Sequence, residues 1–238
     1  MTTNFIQPNW PAPPQVKAYC SLRASKIGER QDANIAFGDV NRTLLKKTLD
    51  LPDNPILVNQ THSTIAIAAR QENQGKEADA LFTSQPNQIC TILTADCLPV
   101  LVCDKSGQHV AAIHAGWRGL ANGIIEKTLS HLNIPPAETL IWLGPAIGPT
   151  RFEVRKDVYD IFTQHDSQAA EAFQPINAEQ WLGNLYTLAR QRLGKLGIKN
   201  IYGGDLCTYT DQTLFYSYRR EGSAVGRIAS LIWLSTND

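Results

Sequence analysis

With 238 residues, 43% of them hydrophobic, the chain can bury a substantial core, and its 22 basic and 22 acidic side chains leave it without net charge. That balance argues against electrostatic capture of nucleic acid or of an anionic membrane. No apolar run approaches the roughly 20 residues needed to cross a bilayer, and five cysteines, an odd number without the dense spacing of a disulfide scaffold, read as reduced thiols.

The first 14 residues are polar and carry Pro8, Pro11, Pro13 and Pro14, an extended lead into one domain spanning residues 1–238. They lack the basic start and apolar centre of a secretory signal, so a cytoplasmic location is expected. A strand is predicted at 16–22, loop at 23–38, a short helix at 40–49 and a strand at 56–58. His62 falls in the polar break before an alternating run at 64–69; a charged turn fills 71–78 and a buried strand 89–93. Residues 98–103 and 108–113 are apolar and β-rich, and Asp104-Lys105-Ser106-Gly107 between them is turn chemistry. Antiparallel pairing of these two runs places Cys97 opposite His114, with Cβ atoms roughly 4.5–5.5 Å apart.

Beyond His114 a glycine-rich turn, Gly116 to Gly119, leads into a predicted helix at 120–132 with Ile124, Ile125, Leu129 and Leu132 as its stripe. The amides of such a turn are a ready place for an anion. A strand at 140–143 is followed by the rigid loop 144–149 and helices at 154–162 and 181–196. The second helix would bury Leu182, Leu185, Ala189, Leu193 and Leu196 and stop at Gly197. Strands at 201–202, 214–218 and 228–234 complete the chain. The irregular mixture of strands and helices predicts an α+β fold with mixed sheets.

His62 would join Cys97 and His114 as a third ligand. Two imidazoles and one thiolate leave a fourth tetrahedral position open, the pattern of a catalytic zinc site, where bound water reaches a pKa of about 7. Cys20, Cys90, Cys103 and Cys207 read as inert core thiols. His109, His131 and His165 read as surface or capping residues. Asp96, beside Cys97, suits a proton relay or a supporting partner of the ligand.

The segments TADCLPVLVCD, HAGWRGL, WLGPAIGP, GGDLCTYT and FYSYRR resemble those of the YfiH family, once named multicopper polyphenol oxidase laccase-domain proteins, in family order from about Trp10 to Leu234. Two departures stand out. Gln60-Thr61-His62-Ser63 replaces the usual Gln-Val-His-Gly, and Leu22-Arg23-Ala24-Ser25-Lys26 keeps the arginine of Thr-Arg-x-Gly-Gly but not its glycines.

The resemblance implies a layered α/β/β/α arrangement, with His62, Cys97 and His114 as metal ligands. It also implies a zinc enzyme that phosphorolyses adenosine, inosine, guanosine or methylthioadenosine, with adenosine deamination as a companion activity. The partners would be a nucleoside and phosphate, with no nucleic acid and no membrane; the oligomeric state is not set. Phosphate would meet Arg23, Arg118 and the amides at Gly116, with Arg23 counted in the catalytic set and Arg118, Gly116 and Asp96 facing substrate. Arg219, Arg220 and Arg227 read as a solvated strand edge or structural ion pairs rather than substrate contacts. The His-x-Glu with Pro-Cys-x-x-Cys pattern of zinc deaminases is absent.

The resemblance also offers an alternative, an amidohydrolase that removes misincorporated serine from a peptidoglycan precursor, with Cys97 as nucleophile where no metal is bound. A copper oxidase is disfavoured, because three spare histidines and Met1 as the sole methionine cannot furnish its further copper ligands. A non-catalytic metal-binding domain also ranks below the phosphorylase and amidohydrolase readings, because a structural clip would need a fourth protein ligand.

Overall fold

The computed structural model describes residues 4–29 and 38–236. Its elements begin with β1 (Phe5–Ile6), β2 (Val16–Ser21), α1 (Asp39–Leu49), β3 (Ala66–Ala68), β4 (Ala80–Thr83), β5 (Cys90–Thr94), β6 (Leu98–Asp104) and β7 (Val110–Ala115). There follow α2 (Trp117–Asn122), α3 (Ile124–Leu132), β8 (Thr139–Leu143), β9 (Glu153–Arg155), α4 (Lys156–His165), β10 (Phe173–Asn177) and β11 (Gln180–Gly183). The chain closes with α5 (Leu185–Lys195), β12 (Ile201–Gly203), α6 (Tyr218–Glu221) and β13 (Ile228–Leu234).

A four-stranded sheet ordered β1-β2-β13-β5 packs against a six-stranded sheet ordered β12-β8-β6-β7-β4-β3, and β10-β11-β9 form a third, small sheet. Strand parity decides the layers. On β13, Ile228, Ile232 and Leu234 face a core shared with Leu101 and Cys103 of β6, whereas Ala229, Leu231 and Trp233 face Leu45 of α1. Val100 and Val102 of β6 and Ile113 of β7 turn the other way, onto Ile124 and Ile125 of α3 and Leu188 and Leu193 of α5. Each such aliphatic side chain contributes about 1.5–3 kcal/mol on full burial. The result is the expected α+β architecture with α/β/β/α layers. Among the described residues no helix is long and apolar enough to cross a membrane.

Several elements differ from expectation. The β6–β7 hairpin is displaced by two residues, with Pro99 rather than Cys97 opposite His114. The Asp104 carboxylate accepts the Gln108 and His109 amides, each at 2.8 Å, and so closes a longer loop than a tight turn. A two-residue displacement keeps every side chain on its face, so Cys97 and His114 stay together. The predicted helix at 120–132 extends back to Trp117 and is cut in two by Gly123, whose φ of +92° is left-handed.

Two predicted helices begin too early. Val154 lies in β9 and Leu182 in β11, paired with each other's strand. Only after Asn184, whose side chain accepts the Tyr186 and Thr187 amides, does α5 start. Residues 56–58 make an isolated bridge in place of a strand. At 214–218, the Phe215 carbonyl is taken by the Arg23 and Arg220 guanidinium groups, so a turn leads into α6 where a strand was expected. Residues 30–37 of the expected loop lie outside the described residues.

Candidate metal centre

The centre forms where the two large sheets end together: Thr94 closes β5, Cys97 precedes β6, His114 is near the end of β7, and Asp79 precedes β4. Asp79 is fully buried. Its Oδ1 accepts the His62 amide at 3.0 Å and faces His114 Nδ1 at 2.7 Å. Oδ2 accepts the Ser63 amide and hydroxyl at 2.6 and 2.7 Å and the Thr61 amide at 3.2 Å. One carboxylate therefore wraps the 61–63 loop around itself and holds His62 at a left-handed φ of +61°, a conformation that costs a non-glycine residue about 1–2 kcal/mol.

Gln60 fixes the same loop from the other side, its carboxamide donating to the Leu93 carbonyl and accepting the Leu93 amide, both at 2.8 Å. With Asp79 on Nδ1, His114 presents Nε2 to the centre, the arrangement in which a carboxylate orients a metal-binding imidazole.

The ligating atoms of His62, Cys97 and His114 all lie within 4.8 Å of one another, and Cys97 Sγ is 3.7 Å from His62 Nε2. Tetrahedral bonds of about 2.0–2.3 Å to nitrogen and sulfur separate ligand atoms by roughly 3.3–3.8 Å, so the donor set and its spacing fit a zinc ion with little movement. Copper accepts the same donors.

Burial pushes the Cys97 thiol up, but His114 and, less strongly, His62 more than reverse this and bring it down to about 6. Burial likewise opposes a charged His114, and the Cys97 thiolate with Asp79 outweighs it, holding the ring near 9. Asp79 is pushed up by burial and down, further, by His114 and Ser63, ending below the usual carboxylate range. Cys97 is thus ready as a thiolate. By contrast, burial raises Cys20 to about 12 and also pushes Cys90 and Cys103 up, as expected of inert core thiols. Cys207 is half-buried, with its sulfur accepting the Gly148 amide at 3.2 Å.

Gly116 also packs directly beneath two of the candidate ligands. A Cβ there would come within 2.7 Å of His62 Cδ2 and 3.1 Å of Cys97 Sγ, so its bare backbone lets the two ligands close over it.

A cavity of about 630 Å³ opens over the three ligands. Trp117, Phe152, Tyr218, Arg118, Arg219 and Arg227 are among its lining residues. Arg118 lies in this wall, its guanidinium 4.2 Å from the Trp117 ring centroid. Asp96 borders the cavity, but its two oxygens accept the Thr208 hydroxyl and the Arg219 amide, each at 2.6 Å.

Arg23 is not in the lining; it pairs with Glu221, donates to the Phe215 carbonyl and stacks on Tyr216. Arg220 is structural as expected, bound to the Thr208 and Tyr209 carbonyls, while Arg219 and Arg227, expected to act alike, reach the cavity. His109 sits by Asp104, His131 stacks on Phe82, and His165 ends α4. The residues missed from sequence are Asp79, Gln60 and the aromatic wall. An acid set between Ala78 and Ala80 in a buried run was the signal for the first.

A model of the family described as "Multi-copper polyphenol oxidoreductase laccase" matches residues 24–235. A Haemophilus influenzae protein named purine nucleoside phosphorylase is 44% identical over 240 residues, covering 96% of this chain and 98% of the relative. The Escherichia coli protein named purine nucleoside phosphorylase YfiH is 40% identical over 243 residues, covering 98% and 99%. A crystal structure of a Neisseria meningitidis protein superposes with a TM-score of 0.89 at 39% identity, over 98% of this chain and 100% of that one.

Proposed function

Because the chain belongs to the laccase-like YfiH family, we propose that it is a metal-dependent purine nucleoside phosphorylase, acting on adenosine, inosine, guanosine or methylthioadenosine. The single observation that carries this reading is an aromatic and cationic cavity opening directly onto the His62, Cys97 and His114 ligands. The names of the two relatives support the same reaction.

Phosphorolysis joins a phosphate oxygen to the anomeric carbon as the glycosidic bond breaks, and the bonding pair leaves with the base. Trp117, Phe152 and Tyr218 supply faces for a purine. Arg118 forms no ion pair among the described residues, so its guanidinium is available to phosphate. Arg219 and Arg227 add positive charge to the same walls. Arg23 acts at one remove, holding the Phe215 turn and Glu221 behind the wall. A zinc ion held by His62, Cys97 and His114 would supply Lewis acidity, and adenosine deamination would share the cavity.

Three separated histidines assemble no further copper cluster among the described residues, which counts against an oxidase. A second reading, hydrolysis of a serine amide in a peptidoglycan precursor, draws on the lowered Cys97 thiol beside His62.

The deciding experiment incubates metal-quantified protein with adenosine, with and without phosphate, and follows adenine, ribose 1-phosphate and inosine, with Cys97→Ala alongside. Phosphate-dependent adenine release that is lost in the variant is expected. Absence of nucleoside turnover by zinc-loaded protein overturns the phosphorylase, and release of serine from the muramyl precursor would then establish the second reading.

A further inference from the structure

We propose that Asp96 is a positioning residue that fixes the Tyr218–Arg219 wall of the cavity at a set distance from Cys97, and so determines how well a substrate fits without touching it. The inference rests on the phosphorylase reading for its assay, and on geometry for its argument. Asp96 adjoins Cys97 in the chain, is only 9% exposed, and holds a left-handed φ of +86°. Its backbone carbonyl accepts the Ile147 amide at 2.9 Å, which fastens it to the 144–149 loop. Its side chain is turned to Thr208 and to the Arg219 amide.

That last contact matters because α6 has four residues and cannot persist on its own hydrogen bonds. Side chains hold it instead. Ser217 Oγ accepts the Arg220 amide at 3.3 Å, Glu221 Oε1 accepts the Ser217 amide at 3.3 Å, and Asp96 accepts the Arg219 amide. Of these three acceptors, only Asp96 comes from outside the 217–221 turn. The Arg220 guanidinium binds the Thr208 and Tyr209 carbonyls at 2.7 and 2.6 Å. Loop 208–209 and α6 therefore form one block, and Asp96 grips that block at two points. Tyr218, 53% exposed at the cavity, and Arg219 are carried by it. With each oxygen already accepting a short hydrogen bond, the carboxylate is committed to the wall.

The test compares Asp96→Ala and Asp96→Asn as zinc-loaded proteins. Asparagine keeps an acceptor for the Arg219 amide and offers an N–H that the Thr208 hydroxyl can turn to accept; alanine removes both bonds. Asp96→Ala is expected to raise the nucleoside KM about tenfold, with kcat changed less than about threefold and one zinc per chain retained, and Asp96→Asn to restore KM to within about twofold. Thr208→Val, which cuts one of the two bonds, should raise KM in the same direction and supplies the result if Asp96→Ala does not fold.

An unchanged KM in the foldable variants, or zinc lost before any change in KM, overturns the proposal. An inactive wild type overturns the phosphorylase reading and this inference with it. An active wild type with indifferent variants overturns this inference alone.

Discussion

Asp79 and Asp96 are two buried acids at the same centre, built into it in different ways. Asp79 gathers five donors from the 61–63 loop and from His114, so its work is spent on two of the three ligands. Asp96 is bonded along the chain to the third ligand, Cys97, yet its side chain serves the opposite wall. The first acid shapes where a metal would sit; the second shapes what lies over it. A site assembled this way separates ligand geometry from substrate fit, and each half can be damaged without the other.

Asp79→Ala should do the greatest harm. It leaves the buried His114 Nδ1–H and the part-buried donors of the 61–63 loop without their acceptor, and a loss of about 3 kcal/mol in denaturant unfolding is expected. Zinc affinity should fall by about 10–100-fold in a competitive chelator titration. A normal titration would show that Asp79 does not orient the ligands. Gly116→Ala ranks next. Its Cβ would press on His62 and Cys97, so about 1–3 kcal/mol of destabilisation is expected together with weakened zinc binding; wild-type values in both measurements would mean that the ligands can part without cost.

The smallest effect belongs to the far side of the wall. Burial raises the Glu221 carboxyl, and Arg23 and Arg220 more than offset it, leaving it below its usual value. The stabilisation is then whole above the unfolded glutamate pKa of about 4.3 and is lost as pH falls through the lower folded value. With the group partly exposed, under about 1 kcal/mol is expected between wild type and Glu221→Gln at pH 7, vanishing in strong acid. A gap that persists in acid would assign the effect to packing.

The three candidate ligands could be picked out of the sequence because His62 and Cys97 stand beside polar residues at breaks between apolar runs, and pairing of the two β-rich runs brought His114 to Cys97. The register error did not hide them, since a displacement of two preserves the face. Asp79 was not legible: its partners lie 16 to 35 positions away, and only the folded chain brings them together. The same holds for α6, whose amides depend in part on an acid 123 positions upstream. The early start given to the helix ending at Lys195 has a local cause. An apolar stripe ran on through Leu182, and the capping residue Asn184 marked the true boundary.

Gln60 gives the centre one more property. Its carboxamide meets Leu93 through both backbone atoms, as a neighbouring strand would. The address it reads is a place along the main chain, indifferent to which side chain occupies position 93. Replacements there would leave these two bonds in place, whereas a single residue inserted or removed within β5, whose register is held by β13, would hand Gln60 the wrong peptide and move His62. The hold on His62 is therefore indifferent to the side chain at position 93 and sensitive to the length of the strand that carries it.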